Sequence, residues 1–408
     1  MRASFLRHVF RVLCALLLPV LLLGSGIVLS SSDTIEARLQ EMVSTKYNAY
    51  QETNGLPGGA GILMYMQSPS GNWLATAGLP EGSNENWHYR IASVSKTFTA
   101  ASIMLLDQQG KLNIDDLVTA DIPGQSEPYL PGSPNYAIPN KDQITIRQLL
   151  SHRAGVFDVF NYPVPATSGV PYAGTTYGAY MMSVLNGPDH QFTLDELAAV
   201  LVATQASFSA PGEEYHYSDT GYSLLAKIIQ RVSGQSYDRF LADNFFGPMG
   251  LTETSAPWSA YDNALPDPSL SGYSNIGSGF VETTEDNMSS QVGPGNIIST
   301  PADITTWVRT LLSGGGPLTR EQAARMLAVE PGNKTYGLGI GNSEAGAGHS
   351  GAHPGFVNLV GYNPDDDVAV VVVTPFIDYN NLEAHLALIT EVAKEAREIA
   401  GYTGTWPR

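Results

Sequence analysis

Cysteine is almost missing from this chain: of its 408 residues, only Cys14 is one. No intrachain disulfide can form, and beyond residue 14 there is neither a thiol nucleophile nor a thiolate metal ligand. Positive charge is scarce as well, with 21 lysines and arginines against 39 aspartates and glutamates and a formal net charge of −18. Without a basic patch or an arginine-rich segment, nucleic acid is not an expected partner. Like-charge repulsion also disfavours an anionic membrane surface. The chain has no internal repeat, no P-loop, no H-E-x-x-H, no dinucleotide fingerprint and no G-x-S-x-G, so the nucleophile elbow of α/β-hydrolases is excluded.

One long apolar run exists, at the N-terminus. Arg2, Arg7 and Arg11 are the only formally charged side chains before residue 31, and they precede the stretch Val12–Leu23. Gly24-Ser25-Gly26 and Ser30-Ser31-Ser32 follow it. A basic start, an apolar middle and a small-residue exit form a signal-peptide pattern. Ile27-Val28-Leu29 extends the apolar stretch to the length of a membrane anchor, so residues 1–30 read as a signal peptide or an N-terminal anchor. The product is then expected to be exported, periplasmic or extracellular.

Residues 31–408 suffice for one large or two intimately joined domains. Helical spacing runs from Asp33 to about Glu52 and stops at Pro57-Gly58-Gly59. Gly61–Gln67 and Asn72–Ala77 read as a hairpin, as do Phe356–Tyr362 and Val368–Thr374. Helices are expected over 93–109, 193–206, 223–232, 301–312 and 382–399, with a short one capped by Thr145. The stretches 123–140, 162–178 and 255–287 read as loops. Strands at both ends with helices between them predict an α+β fold. Its antiparallel sheet, flanked by helices, is built from N- and C-terminal segments (31–110 and 288–408), with a mostly helical lobe, 111–287, inserted.

The chemistry gathers first at Arg90-Ile91-Ala92-Ser93-Val94-Ser95-Lys96. Ser93 and Lys96 are three residues apart and share a helix face. A serine hydroxyl needs a base to take its proton, and a buried, neutral lysine is one. Tyr217-Ser218-Asp219 lies on a polar turn, where a tyrosine hydroxyl either enters a cleft or bonds to backbone. His349 and His353 have a zinc-like spacing, but their Gly/Pro-rich stretch gives no helix, so no metal is expected. Asp365-Asp366-Asp367 fits a hairpin turn, Glu213-Glu214 a solvated turn, and His152 a helix-end cap.

In order and spacing, Ser93-Val94-Ser95-Lys96, Tyr217-Ser218-Asp219 and His349-Ser350-Gly351 resemble the three motifs of the serine β-lactamase and penicillin-binding superfamily. The branch is that of class C β-lactamases, D-alanyl-D-alanine carboxypeptidases, related esterases and D-aminopeptidases. The resemblance implies that Ser93 attacks a carbonyl to form an acyl-enzyme, with Lys96 as general base. Tyr217 would relay protons, and either Lys96 or Tyr217 could be the primary base. Backbone N–H groups of Ser93 and Ala352 would form the oxyanion hole, and Asp219, His349, Ser350 and Gly351 would bind substrate.

Two positions depart from the family pattern. Asp219 stands where asparagine is usual; a carboxylate accepts from Lys96 but cannot donate to a substrate amide carbonyl. It also tends to keep Lys96 charged. His349 stands where many relatives carry lysine, and neutral imidazole attracts a substrate carboxylate less. Both changes argue against an efficient β-lactamase. The expected function is a serine hydrolase acting through an acyl-enzyme, D-alanyl-D-alanine carboxypeptidase-like or β-lactamase-related. An esterase of the same fold and a weakly active penicillin-binding protein are the alternatives. No cofactor is implied, and the partner would be a D-Ala-D-Ala peptide, a β-lactam or an ester.

Overall fold

The computed structural model describes residues 34–184, 189–277 and 279–404, so the leader read at 1–30 lies outside the described residues. Six strands make the main sheet: β1 (Ile62–Ser68), β2 (Gly71–Ala77), β3 (Gly341–Ser343), β4 (Gly346–His353), β5 (Phe356–Asn363) and β6 (Val368–Thr374). Their order is β2-β1-β6-β5-β4-β3, antiparallel throughout. N-terminal β1 pairs with C-terminal β6, placing Leu63 opposite Val373 and Gln67 opposite Ala369. The expected α+β architecture, with its sheet drawn from both ends of the chain, is the one observed.

Strand β6 is β-branched almost throughout because both of its faces are buried. Side chains alternate across a strand. Val368, Val370 and Val372 therefore join Ile62, Met64 and Met66 beneath helices α1 (Ile35–Asn54) and α5 (Leu382–Ile399). Ala369, Val371 and Val373 face the larger core on the other side, with Leu63 and Tyr65. Lys46 on α1 bridges Glu391 and Glu395 on α5 at 3.0 and 3.2 Å.

On that larger side lies helix α2 (Ser95–Gln108), buried on every face from Ser95 to Leu106. It is a core helix. Phe98 stacks on Trp307 of helix α4 (Pro301–Ser313) with ring centroids 3.8 Å apart, and Trp307 Nε1 donates to Thr97 Oγ1 at 2.8 Å. Thr99 Oγ1 donates to the Gly293 carbonyl at 2.6 Å, and the Ile297 N–H donates to Ser95 Oγ at 3.1 Å. These bonds fasten the 293–297 segment along α2. Helix α3 (Asp219–Ser233) packs beside α2.

Three local features differ from the sequence reading. Ser93 sits in a 3-10 turn, Ala92–Val94, and the α-helix proper starts at Ser95. The helix expected from Ser223 begins at Asp219, because Ser218 is an N-cap whose hydroxyl accepts the Gly221 N–H at 3.1 Å. The 255–287 stretch is more than loop: Tyr273–Asn275 and Phe280–Glu282 form a small sheet with Phe376–Asp378.

Candidate active site

The turn carrying Ser93 is held by its neighbours. Ala92 has φ 51°, a left-handed conformation that costs a residue with a Cβ about 1 kcal/mol or more. Strand β4 passes directly over it. A Cβ on Gly351 would lie 2.4 Å from the Ile91 carbonyl and 3.0 Å from Ala92 Cβ, so only glycine permits this approach. Asn358 on β5 adds a bond from Nδ2 to the Ile91 carbonyl at 3.2 Å. Ala352, the next residue of β4, is exposed to the cleft.

Lys96 is wholly buried, and its Nζ meets Ser93 Oγ at 3.0 Å, the Pro294 carbonyl at 3.0 Å and Asp219 Oδ1 at 2.6 Å. Burial pushes its pKa down, and the Asp219 charge opposes that shift. The Tyr217 hydroxyl is hydrogen-bonded to Ser93, and its ring centre lies 4.8 Å from Lys96 Nζ. Burial, followed by the Asp219 charge, raises Tyr217 well above the usual tyrosine range. At neutral pH Tyr217 is therefore a protonated phenol, while Lys96 is displaced toward its free amine.

His152 supports Tyr217 from behind. Its ring lies 4.2 Å from the tyrosine ring, and its Nδ1 accepts the Ser218 N–H at 3.1 Å. Burial, then the charge of Lys96, keeps it neutral. His152 is thus a bonded core histidine, consistent with its place at a helix end.

His349 is closed to solvent. Its Nδ1–H donates to the Ser350 carbonyl at 2.5 Å, and its Nε2 accepts from the Tyr336 hydroxyl at 3.0 Å. Burial, then Lys96, lowers it to about 4. It is a neutral wall of the site with both nitrogens occupied. Strand alternation puts Ser350 and Ala352 on the face opposite His349, Gly351 and His353. His353 pairs instead with Asp286 at 2.6 Å. Among the described residues no group of three His, Cys, Asp or Glu side chains could hold a metal ion.

Asp158 and Asn161 escaped sequence reading. Asn161 Nδ2 donates to Asp219 Oδ2 and to Asp158 Oδ2, each at 2.8 Å. Asp158 Oδ2 also accepts the Asp219 N–H at 3.0 Å, and its Oδ1 accepts the Phe160 and Asn161 N–H groups at 3.1 and 3.2 Å. The only sequence hint was their position just after the 144–155 segment that carried part of the family likeness. Glu213 and Glu214 are exposed, Asp366 pairs with Arg397 and Asp367 with Arg309, so none of these acids reaches the site.

Beside Asp219 and Ala352 opens a cleft of about 760 Å³. Asp219, Glu285 and Asp286 line it with Asn161, Asn263 and Asn287; Phe160, Met182, Phe192 and Tyr379 supply apolar wall. No lysine or arginine does. Arg90 is buried and spends its guanidinium on the Asn263 and Thr284 carbonyls, holding that wall in place.

A serine on a turn ahead of a core helix, a buried lysine one helical turn on, and an antiparallel sheet of this order define a serine hydrolase of the β-lactamase and penicillin-binding fold. The Beta-lactamase family model matches residues 43–376, and the chain belongs to that family. It is 28% identical over 294 residues to Protein flp of Staphylococcus aureus, covering 70% of this chain and 52% of that protein. It is 26% identical over 274 residues to a putative D-alanyl-D-alanine carboxypeptidase of Escherichia coli O157:H7, covering 62% of this chain and 58% of that one. The chain thus spans little more than half the length of these relatives. Among solved structures, a D-stereospecific amidohydrolase from Streptomyces sp. superposes with a TM-score of 0.68 at 23% identity, covering 84% of this chain and 94% of that one. The D-amino acid amidase of Ochrobactrum anthropi SV3 complexed with D-phenylalanine gives 0.68 at 20% identity, covering 91% and 100%. These structural likenesses establish the fold.

Proposed function

We propose that the protein hydrolyses small amides and esters through an acyl-enzyme on Ser93. We further propose that its preferred substrates carry a free amine rather than a free carboxylate, as D-amino-acid amides and esters do. The observation that carries this reading is the charge of the cleft. Asp219, Glu285 and Asp286 line it, no lysine or arginine does, and His349 has no free nitrogen. Asp219 already pairs with Lys96 and Asp286 with His353, so a substrate ammonium is drawn by the summed negative charge of the cleft, Glu285 included, and a substrate carboxylate finds no lysine or arginine there. The D-amino acid amidase and D-stereospecific amidohydrolase among its structural neighbours support the stereochemical part.

In this mechanism Lys96 takes the Ser93 proton across their 3.0 Å contact as Oγ bonds to the substrate carbonyl carbon. The oxyanion is received by the Ser93 and Ala352 N–H groups. Tyr217, held in its phenol form, passes a proton to the departing amine or alkoxide. Water then attacks the ester by the reverse route and frees Ser93. The likeness to the putative D-alanyl-D-alanine carboxypeptidase keeps a second reading in play, D-Ala-D-Ala peptide cleavage outside the cytoplasm. Export, read from the leader, belongs to this proposal. Among the described residues no helix is long and apolar enough to cross a membrane.

The test is one panel on wild type and Ser93→Ala: D-phenylalanine amide, its N-acetyl derivative, a p-nitrophenyl ester, a D-Ala-D-Ala peptide and a chromogenic cephalosporin. Turnover should fall by roughly 10⁴-fold or more in Ser93→Ala, and the free amine should outpace its acetylated form. Turnover that survives the substitution would overturn the mechanism. A D-Ala-D-Ala peptide as the best substrate would favour the second reading.

A further inference from the structure

Lys96 Nζ is set between Ser93 Oγ, the Pro294 carbonyl and Asp219 Oδ1, and the Asp219 carboxylate is itself held by a further side chain. Asp219 heads α3, and its side chain is free to turn about two bonds. Its Oδ1 meets Lys96 Nζ at 2.6 Å, and its Oδ2 accepts the Asn161 amide at 2.8 Å. The second hydrogen of the same amide goes to Asp158 Oδ2, which also fixes the Asp219 backbone N–H. Asp158 is 0% exposed and its oxygens face four N–H donors, two on each. Such a cage suits a carboxylate; a carboxylic acid would set its own O–H against a donor.

We infer that Asp158 and Asn161 are positioning residues that clamp Asp219 against Lys96, so that acylation of Ser93 depends on a carboxylate–amide–carboxylate chain. Asp158 lies behind that chain and does not line the cleft, whereas Asn161 does. The inference rests on Ser93 and Lys96 being the acylating pair. The titratable groups facing Asp158 are Asp219 from α3 and Lys96 from α2. Burial, then the Asp219 charge, raises Asp158 to about 6, so acidification discharges the clamp within a working pH range. The charge of Asp158 also raises Lys96. Removing it therefore moves the acid limb of kcat to lower pH on both counts.

The test measures kcat and KM on a p-nitrophenyl ester against pH for Asp158→Asn, Asn161→Ala and each combined with Asp219→Ala, with melting temperatures alongside. Each single variant should lose about tenfold or more in kcat, the equivalent of one charge-assisted hydrogen bond. KM should stay within about twofold for Asp158→Asn, whose side chain is behind the site. Its acid limb should shift downward. In the Asp219→Ala background the further loss should nearly vanish, because the clamp then has nothing to hold. An unchanged kcat and acid limb, or losses that multiply in the double variants, would overturn the inference. Should Asp158→Asn not fold, the cleft-facing Asn161→Ala carries the same comparison. Turnover retained by Ser93→Ala would instead strike the mechanism itself, a different outcome from an intact mechanism with an indifferent Asp158.

Discussion

Asp219 has one oxygen on Lys96 and the other on Asn161, and it stands at the positive end of helix α3. Its charge raises the pKa of Lys96 against the effect of burial. Asp219→Asn removes that charge, so Lys96 loses its proton more readily. The acid limb of kcat should move to lower pH, and the amide-to-ester rate ratio should rise because the new side chain can donate to a substrate amide carbonyl. A pH–rate profile on both substrates checks this; an unmoved limb would show that Asp219 does not govern Lys96. At this scale much was legible. Ser93, Lys96, Tyr217 and Asp219 stand in motifs, and the structure gathers them within bonding reach of one another. Asp158 and Asn161 were not legible, since they sit in an aperiodic segment and acquire meaning only when folding brings them to α3. His349 was visible as a residue, but its closure by Tyr336 and the Ser350 carbonyl depends on partners that no spacing shows.

Strand β4 and the turn before α2 meet without side chains between them, at Gly351. Gly351→Ala would force a Cβ to within 2.4 Å of a backbone oxygen, and backbone cannot step aside as a flexible side chain does. The strand and the turn must part, displacing Ala352 from Ser93. A misplacement of that order is expected to lower kcat by about 10²-fold, with a smaller effect on far-UV circular dichroism than on rate. Kinetics and spectra on the purified variant check this. Regular elements were the easiest to read: the two hairpins are runs of apolar and β-branched residues joined by turn residues, and α1 and α5 carry apolar residues at helical spacing. Element starts were harder. A Ser-Asp pair inside what read as a polar turn is in fact the cap and first turn of α3. The short strands within 255–287 have too few residues to show a period, and they exist because Phe376–Asp378 pairs with one of them.

At the scale of the whole fold, burial holds three histidines neutral, His152, His349 and His385. His385 on α5 stacks on Phe376 at 4.4 Å, bonds Thr374 Oγ1 at 2.8 Å, and is pushed by burial down to about 3. Its ordinary value is 6.5, so the unfolded chain takes up a proton that the folded one refuses. The stability this contributes is complete above about pH 6.5 and is lost progressively as pH falls toward 3, by at most about 1.4 kcal/mol per unit. His152 and His349 act in the same direction. His385→Leu should therefore flatten the fall of melting temperature between pH 6.5 and 4. An unchanged slope would assign the acid sensitivity to other groups.

The pairing of β1 with β6 has a consequence for how the molecule comes into being. A ribosome delivers Ser93 and Lys96 early, when neither Ala352 nor β6 has been made. Until residue 374 emerges, β1 lacks its inner neighbour, and before residue 352 Ser93 lacks the second oxyanion donor that the proposed mechanism assigns to Ala352. On the proposed mechanism, reactivity therefore waits for β4 to β6, and a chain terminated before them carries Ser93 without the means to use it.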